Sequence, residues 1–316
     1  MTLDLYFVLT PRFLMLDFAG PAEAFAFAVR AGARVRAHYV GARPSLLGAL
    51  GLTVSHLEPL PAVLPDGALV FLSGVMGPAA SYACAEARET VAWLRRAVTP
   101  RQRLACVCSA ALLAARAGLL DGRECTTHHT LTTTLRELAP RARVLEDRVF
   151  VEDGPVATSA GVTAGIDLAL HLIESIAGAG MAQGVARELV VWLRRTGSDP
   201  QLSPWLAFRD HLHPAVHRAQ DAISRAPERP WPLAELAKHA HASVRNLTRL
   251  FREHTGTTVA DYHQRLRVAR ARQLLEDPQR SMERVAELTG FGSARALRRV
   301  FTRVEGTAPS VYRRRA

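Results

Sequence analysis

Cysteine, lysine and long apolar runs are all scarce in this sequence, and each scarcity excludes a class of protein. The four cysteines, Cys84, Cys106, Cys108 and Cys125, are too few to staple a chain of 316 residues. The Cys106-x-Cys108 spacing matches neither a C-x-x-C redox pair nor a zinc knuckle. Any cysteine chemistry here is therefore thiol chemistry. The longest apolar candidate, residues 104–120, is broken by Arg116 and is shorter than a bilayer span. The first residues, Met1-Thr2-Leu3-Asp4, show no basic region leading into an apolar stretch, so the expectation is a cytoplasmic protein without a membrane partner. Lysine is almost absent, Lys238 being the single lysine among 40 basic residues. Arginine supplies a planar fork for phosphates and guanine edges. Genomic base composition can produce the same bias, so it carries little functional weight.

What is present is a chain long enough for two domains, with 48% hydrophobic and 22% charged residues, the mix of a globular protein. Its charge is divided unevenly. Residues 1–216 carry 20 basic and 19 acidic side chains, net +1, and residues 217–316 carry 20 and 10, net +10, which together make the overall +11. A surface that neutralises phosphates needs such a local excess.

Short apolar runs in the first two-thirds predict strands at 3–10, 34–41, 68–73, 104–108, 143–146, 149–152 and 156–158. Between them, helical periodicity predicts helices at 21–31, 81–98, 109–117 and 130–138, followed by 163–177 and 182–195. This alternation implies an α/β fold with a parallel sheet sandwiched between helices. Ligands in such folds sit beyond the carboxyl ends of the strands, here just after Thr10, Ser73 and Val107. The turn-rich stretch Thr196-Gly-Ser-Asp-Pro-Gln-Leu-Ser-Pro204 opens a linker over 196–216, between a domain at 1–195 and another at 217–316.

Past Pro214 the strand signals stop and an all-α domain is expected. A short helix at 233–240 is followed by Ser243, an N-cap residue, and by a second helix with Leu247, Leu250 and Phe251 on its apolar face. The pattern returns about fifty residues later. Residues 281–288 form the first helix there, Thr289-Gly290-Phe291-Gly292 the turn, and Ser293 the cap of a helix with Leu297, Val300 and Phe301 inward. These are two helix-turn-helix units joined by a longer helix at 259–276, which, if rigid, sets both recognition helices in successive major grooves, roughly 34 Å apart. Arg245, Thr248 and Arg249 fall outward on the first recognition helix, and Arg295, Arg298 and Arg299 on the second.

The second domain resembles the AraC/XylS transcriptional regulators. The likeness runs through Leu236-Ala237, Ser243-x3-Leu247-x2-Leu250-Phe251, Gly256, Tyr262, Leu266-Arg267, Leu274-Leu275, Val285-Ala286, Gly290-Phe291-Gly292-Ser293, Phe301 and Gly306-x2-Pro309-x2-Tyr312-Arg313. It implies double-stranded DNA as partner, with bases read from Arg245, Thr248 and Arg249, then from Ala294, Arg295, Ala296 and Arg299. Glu305 departs from the family's usual apolar residue.

In the first domain, an apolar strand runs through Cys108 into a helix, placing a thiol at a strand-to-helix turn where the helix dipole and free N–H groups favour thiolate. Cys106, within the strand, is expected to be buried and inert. This domain resembles the ThiJ/PfpI superfamily, of flavodoxin-like fold and related to class I glutamine amidotransferases. The carriers are Leu16-Asp17-Phe18-Ala19-Gly20-Pro21, Val107-Cys108-Ser109, Ala117-Gly118-Leu119-Leu120-Asp121-Gly122-Arg123, Thr126-Thr127-His128 and Ser159-Ala160-Gly161-Val162-Thr163-Ala164-Gly165-Ile166-Asp167. The isonitrile hydratases and the amidase-like domains of fused regulators are the nearest branches. The junction His211-Leu-His213-Pro-Ala-Val-His217 favours the regulators.

The resemblance implies a pocket in which Cys108 is the elbow thiol, Asp17 the facing acid and His128 the third member, with the N–H groups of Ser109 and Val75 forming an oxyanion hole. Glu23 competes with Asp17 as the acid, and Asp17 is preferred because it fits the motif. Ser73-Gly74-Val75 replaces a common Gly-Gly pair and His129 a usual tryptophan, so substrate class does not transfer. No cofactor or metal is expected. His128-His129 and the set His211, His213 and His217 lack cysteine or carboxylate partners at ligand spacing. Trp192, Trp205 and Trp231 read as core or junction packing. The expected function is a DNA-binding regulator controlled by a small metabolite and acting as a homodimer. The alternatives are a Cys108-dependent hydratase or hydrolase of a carbon–nitrogen compound, and a redox sensor acting through a Cys108 sulfenate.

Overall fold

A computed structural model describes residues 2–77, 82–191, 194–275, 277 and 279–313. The chain forms two compact units, Met1–Gln201 and Leu202–Ala316. In the first, the elements in order are β1 (Leu3–Leu9), α1 (Met15–Arg30), β2 (Val35–Gly41), β3 (Ser45–Leu47), β4 (Thr53–Ser55), β5 (Glu58–Pro59) and β6 (Leu69–Leu72). Then come α2 (Ala85–Ala97), β7 (Arg103–Val107), α3 (Ala110–Arg116), β8 (Glu124–Cys125), α4 (Thr132–Leu138), β9 (Arg143–Val144), β10 (Phe150–Asp153), β11 (Val156–Ser159), α5 (Ala164–Ala177) and α6 (Ala179–Glu188).

The main sheet has seven strands in the order β10-β11-β7-β6-β1-β2-β5, parallel except for the antiparallel pair β10–β11. Its central strands read as unbroken apolar runs because both faces are covered. Along β1, Tyr6 and Val8 join the core with Leu72, Trp93, Leu94 and Leu112, and Leu5 and Phe7 join the opposite core with Phe25, Phe71, Val107 and Leu168. This is the α/β sandwich expected.

Several boundaries differ from the sequence reading. The strand expected at 143–146 lies outside the main sheet, because β9 pairs with the unforeseen β8 in a separate two-stranded sheet. Helix α1 starts at Met15 rather than Pro21, so Pro21 sits inside it and forfeits a helical bond to the Asp17 carbonyl. Helix α2 starts at Ala85, where the Cys84 sulphur accepts the Ala87 N–H at 3.4 Å, and Ser81 lies outside the described residues. Helix α6 begins at Ala179, after Gly178 breaks it from α5 at φ 88°, and ends at Glu188. Trp192, within the helix expected at 182–195, also lies outside the described residues.

The division between units falls inside the 196–216 stretch. Residues up to 201 are tied to the first unit: Val149 N–H donates to Asp199 O at 3.0 Å, and Gln201 Nε2 to Thr127 O at 2.8 Å. Beyond it, Trp205 and Phe208 pack on the core of the second unit, as does Trp231.

The second unit is all helical: α7 (Pro214–Arg225), α8 (Leu233–His239), α9 (Val244–Thr255), α10 (Val259–Leu275), α11 (Met282–Leu288), α12 (Ala294–Glu305) and α13 (Pro309–Arg313). The N-terminal half of α10, through Val259, Tyr262 and Leu266, closes a core with Leu236, Leu247 and Phe251. Its C-terminal half, through Val268, Ala271, Leu274 and Leu275, closes a second core with Val285, Leu297 and Phe301. One helix thus belongs to both helix-turn-helix halves.

Candidate functional site

The two recognition helices, α9 and α12, are built alike. Ser243 Oγ accepts the Asn246 N–H and Ser293 Oγ the Ala296 N–H, each at 3.2 Å. Both helices run twelve residues and end on a left-handed glycine, Gly256 and Gly306, each at φ 69°. Phe251 packs edge-on to Tyr262 at 5.5 Å, and Phe301 to Tyr312 at 5.7 Å.

The halves are locked together across α10. Arg267 donates to the carbonyls of Pro227, Glu228 and Arg229, and the His263 ring donates to Pro227 O at 2.7 Å. Arg267 also stands 5.9 Å over the Phe291 ring, in the turn of the second half. Gly290, at φ 73°, is required there, since a Cβ would lie 2.0 Å from Glu228 O. The unusual Glu305 has a partner: it pairs at 3.4 Å with Arg272, a buried guanidinium that also donates to Tyr312 Oη. An acid at 305 is what lets a charged residue be buried at 272.

Of the expected base-reading residues, Arg245, Thr248, Arg249, Arg295, Arg298 and Arg299 are exposed, and Ala296 is half-buried. Ala294 is buried in the first turn of α12. Arg249 is held by Glu253 at 2.6 Å and by Asn246 Oδ1 at 3.1 Å. Arg245, Arg295, Arg298 and Arg299 have no carboxylate partner among the described residues.

In the first unit, Cys108 occupies the turn from β7 to α3 at φ 60°, a strained conformation for a residue with a Cβ. Two close approaches define its surroundings. A Cβ on Gly161 would lie 2.2 Å from Cys108 Cβ, and one on Gly74 would lie 2.5 Å from Asp17 Oδ2 and 2.9 Å from Cys108 Cβ. Asp17, fully buried in the first turn of α1, accepts the Val162 N–H at 2.7 Å through Oδ1. Thr127 Oγ1 donates to the Cys108 carbonyl at 2.8 Å. Glu23 is exposed, so the structure brings Asp17 to the thiol and leaves Glu23 outside.

Two opposing influences act on the thiol. Burial, reinforced by the Asp17 carboxyl, pushes the Cys108 thiol up to about 12, against which the Ser109 N–H at the helix start is too weak. Burial also raises Asp17 to about 6. The pair favours a protonated sulphur beside a weak acid. The oxyanion hole is not assembled either, because the Val75 N–H donates to Ser109 Oγ at 2.8 Å. Ser109 Oγ donates in turn to Val75 O, and Tyr82 Oη donates to Ser109 Oγ at 2.9 Å. Tyr82, missed from sequence, buttresses this network, and no spacing signal marked it. His128 is half-buried and engaged with Thr130, its Nδ1 lying 2.8 Å from Thr130 Oγ1 while its ring packs on His129. Its hydrogen bonds thus go to Thr130. Cys106 is fully buried with its thiol pushed up, as expected of an inert cysteine.

Comparison with known proteins bears on both units. The DJ-1/PfpI family model matches residues 4–175 and a helix-turn-helix domain model matches residues 236–315. The HTH-type transcriptional regulator CdhR of Pseudomonas aeruginosa is 30% identical over 315 residues, covering 98% of this chain and 91% of that protein. The regulator GbdR of the same species is 31% identical over 222 residues, 70% of this chain but only 60% of GbdR, so the chain spans less than two thirds of that relative. An isonitrile hydratase of Pseudomonas putida is 31% identical over 192 residues, 60% of this chain and 78% of the enzyme. The likeness that runs through both units is to HTH-type transcriptional regulators, and the chain belongs to the DJ-1/PfpI family and carries a C-terminal helix-turn-helix domain.

Proposed function

We propose that this protein is a sequence-specific regulator of transcription in which a small metabolite, held beside Asp17 and Cys108 with Val75, Ser109 and His128 around it, sets how the second unit engages double-stranded DNA. The observation that carries the reading is the pair of capped recognition helices with six exposed side chains on their outer faces, fixed to one another through Arg267 and Gly290. Arginine forks suit guanine edges and phosphates, and Thr248 suits a thymine methyl or a base edge. The protein acts as a homodimer in the cytoplasm, and among the described residues no helix is long and apolar enough to cross a membrane.

Binding rather than turnover suits the first unit. A nucleophilic cysteine needs a low thiol pKa and free donors for the developing oxyanion. Here the thiol is held neutral and the Val75 N–H is already engaged. The test is retention and sequencing of genomic fragments by the full-length protein at near-physiological salt, beside a chain ending at Arg195. Discrete fragments kept only by the full chain are expected. Retention by neither, together with a turnover abolished by Cys108→Ser, would replace this reading with a hydratase or hydrolase.

A further inference from the structure

Four histidines from three segments of the second unit pack into one cluster. His211 and His213 lie in the stretch before α7, His217 on α7, and His254 in the last turn of the recognition helix α9. Ring centroids are 4.5 Å apart for His211–His217, 5.8 Å for His211–His254 and 4.7 Å for His213–His254, and all four rings are half-buried. The rings are tilted by 36–44° to one another, and among the described residues no three such side chains are arranged to hold a metal ion.

The hydrogen bonds specify the protonation state. The His213 backbone N–H donates to His211 Nδ1 at 3.3 Å, so that nitrogen must be bare and the His211 ring neutral. His217 Nε2 donates to the His211 carbonyl at 2.5 Å. His213 Nδ1 is buried with no hydrogen-bond partner among the described residues, and the Gln220 side chain lies beside His211. A second proton on His211 would set N–H against the His213 N–H and place a cation beside the rings of His217 and His254.

The surrounding charges offer that cation little. On the stretch before α7, Arg209 pairs with Asp221 of α7, and Asp210 is exposed. On α7, Arg218 donates to the Ala240 carbonyl, and the Gln220 amide gives its N–H to Phe208 O. On α9, Glu253 is taken by Arg249. Burial, then His217 and His254, hold the His211 pKa below its ordinary value.

We propose that this cluster is a proton-operated latch: neutral, it holds the 202–213 stretch against the recognition helix α9, and when protonated it releases that stretch and weakens DNA binding. The latch rests on the DNA-binding reading only for its last step. Its sign follows from linkage: the released state binds more protons, so the latch is closed above the ordinary imidazole range and opens as pH falls below it.

The test uses the full chain at pH 7.5 and 5.5 at fixed ionic strength. Backbone hydrogen exchange, corrected for intrinsic rates, should rise several-fold over residues 202–213 and the last turn of α9 at the lower pH. His211→Asn places an amide oxygen where Nδ1 accepts and takes up no proton, so its exchange should be the same at both pH values. His254→Asn, which removes a neighbouring ring instead, should shift the transition to lower pH. Affinity for a retained genomic fragment should fall in the wild type and hold steady in His211→Asn. Equal exchange at both pH values in the wild type, the same pH response in His211→Asn, or a response that follows zinc and reverses with EDTA at constant pH would overturn the latch. If no fragment is retained at either pH, the DNA-binding reading fails, while exchange still decides the latch.

Discussion

The thiol pocket and the DNA-reading face handle charge in opposite ways. Around Cys108 the titratable groups are buried and crowded by two glycines, and neutrality is the favoured state. On α9 and α12 the outward guanidinium groups are displayed, and of Arg245, Arg249, Arg295, Arg298 and Arg299, Arg249 alone has a carboxylate partner among the described residues. The first arrangement suits a site whose occupancy alters shape, since any added atom must displace packed neighbours. The second suits contact with a polyanion, where solvent-exposed charge costs little until DNA takes the place of counterions.

The largest effect should come from filling the pocket's narrowest approach. Gly161→Ala places a methyl 2.2 Å from Cys108 Cβ at φ +101°, and should cost about 3 kcal/mol or more of stability, read as a lower denaturant midpoint. Gly256→Ala, at a left-handed position with open space, should cost only about 1 kcal/mol. Equal losses would mean that crowding is not what distinguishes the pocket.

Next in size is the Asp17 linkage. A carboxyl raised from 3.8 to about 6 contributes stability that is fully present below pH 3.8 and lost as pH climbs through 6. The wild type should lose roughly 3 kcal/mol of that contribution between these limits, and Asp17→Asn should lack this component. Parallel stability profiles for the two proteins would remove the buried acid from the account.

On the reading face, Arg249→Ala should cost about 1 to 3 kcal/mol of specific binding and relax base preference at one position, measured by enrichment from random oligonucleotides. An unchanged preference would show that Arg249 reads no base. The smallest effect should be that of Arg298→Ala, if Arg298 contacts a phosphate: a weaker dependence of log affinity on log salt by about one, with sequence preference intact. A loss of preference instead would make Arg298 a base reader.

Much of this was legible in the sequence because local chemistry and the final structure agree. The serine caps, the inward Leu247, Phe251, Leu297 and Phe301, and the alternation of strands and helices each follow from periodicity and backbone propensity. What escaped depends on contacts distant in sequence. A helix dipole argues for a thiolate at Cys108, but the acid that opposes it comes from α1, 91 residues earlier, and burial of both is a property of the assembled core. The engagement of the Val75 N–H by Ser109 spans 34 residues and has no spacing signature. Ala294 is a different case: it stands three residues before Leu297 and seven before Phe301, in the helical phase of the buried stripe.

The clamp formed by Arg267, His263 and Gly290 has a consequence for the operator. With the two recognition helices held at one separation, the protein measures its binding site as a ruler does. Each inserted base pair moves one sub-site by about 3.4 Å and a tenth of a turn, and the clamp allows little compensating movement. Operators for this protein are therefore free to drift by substitution within each sub-site but are held to a constant length between them.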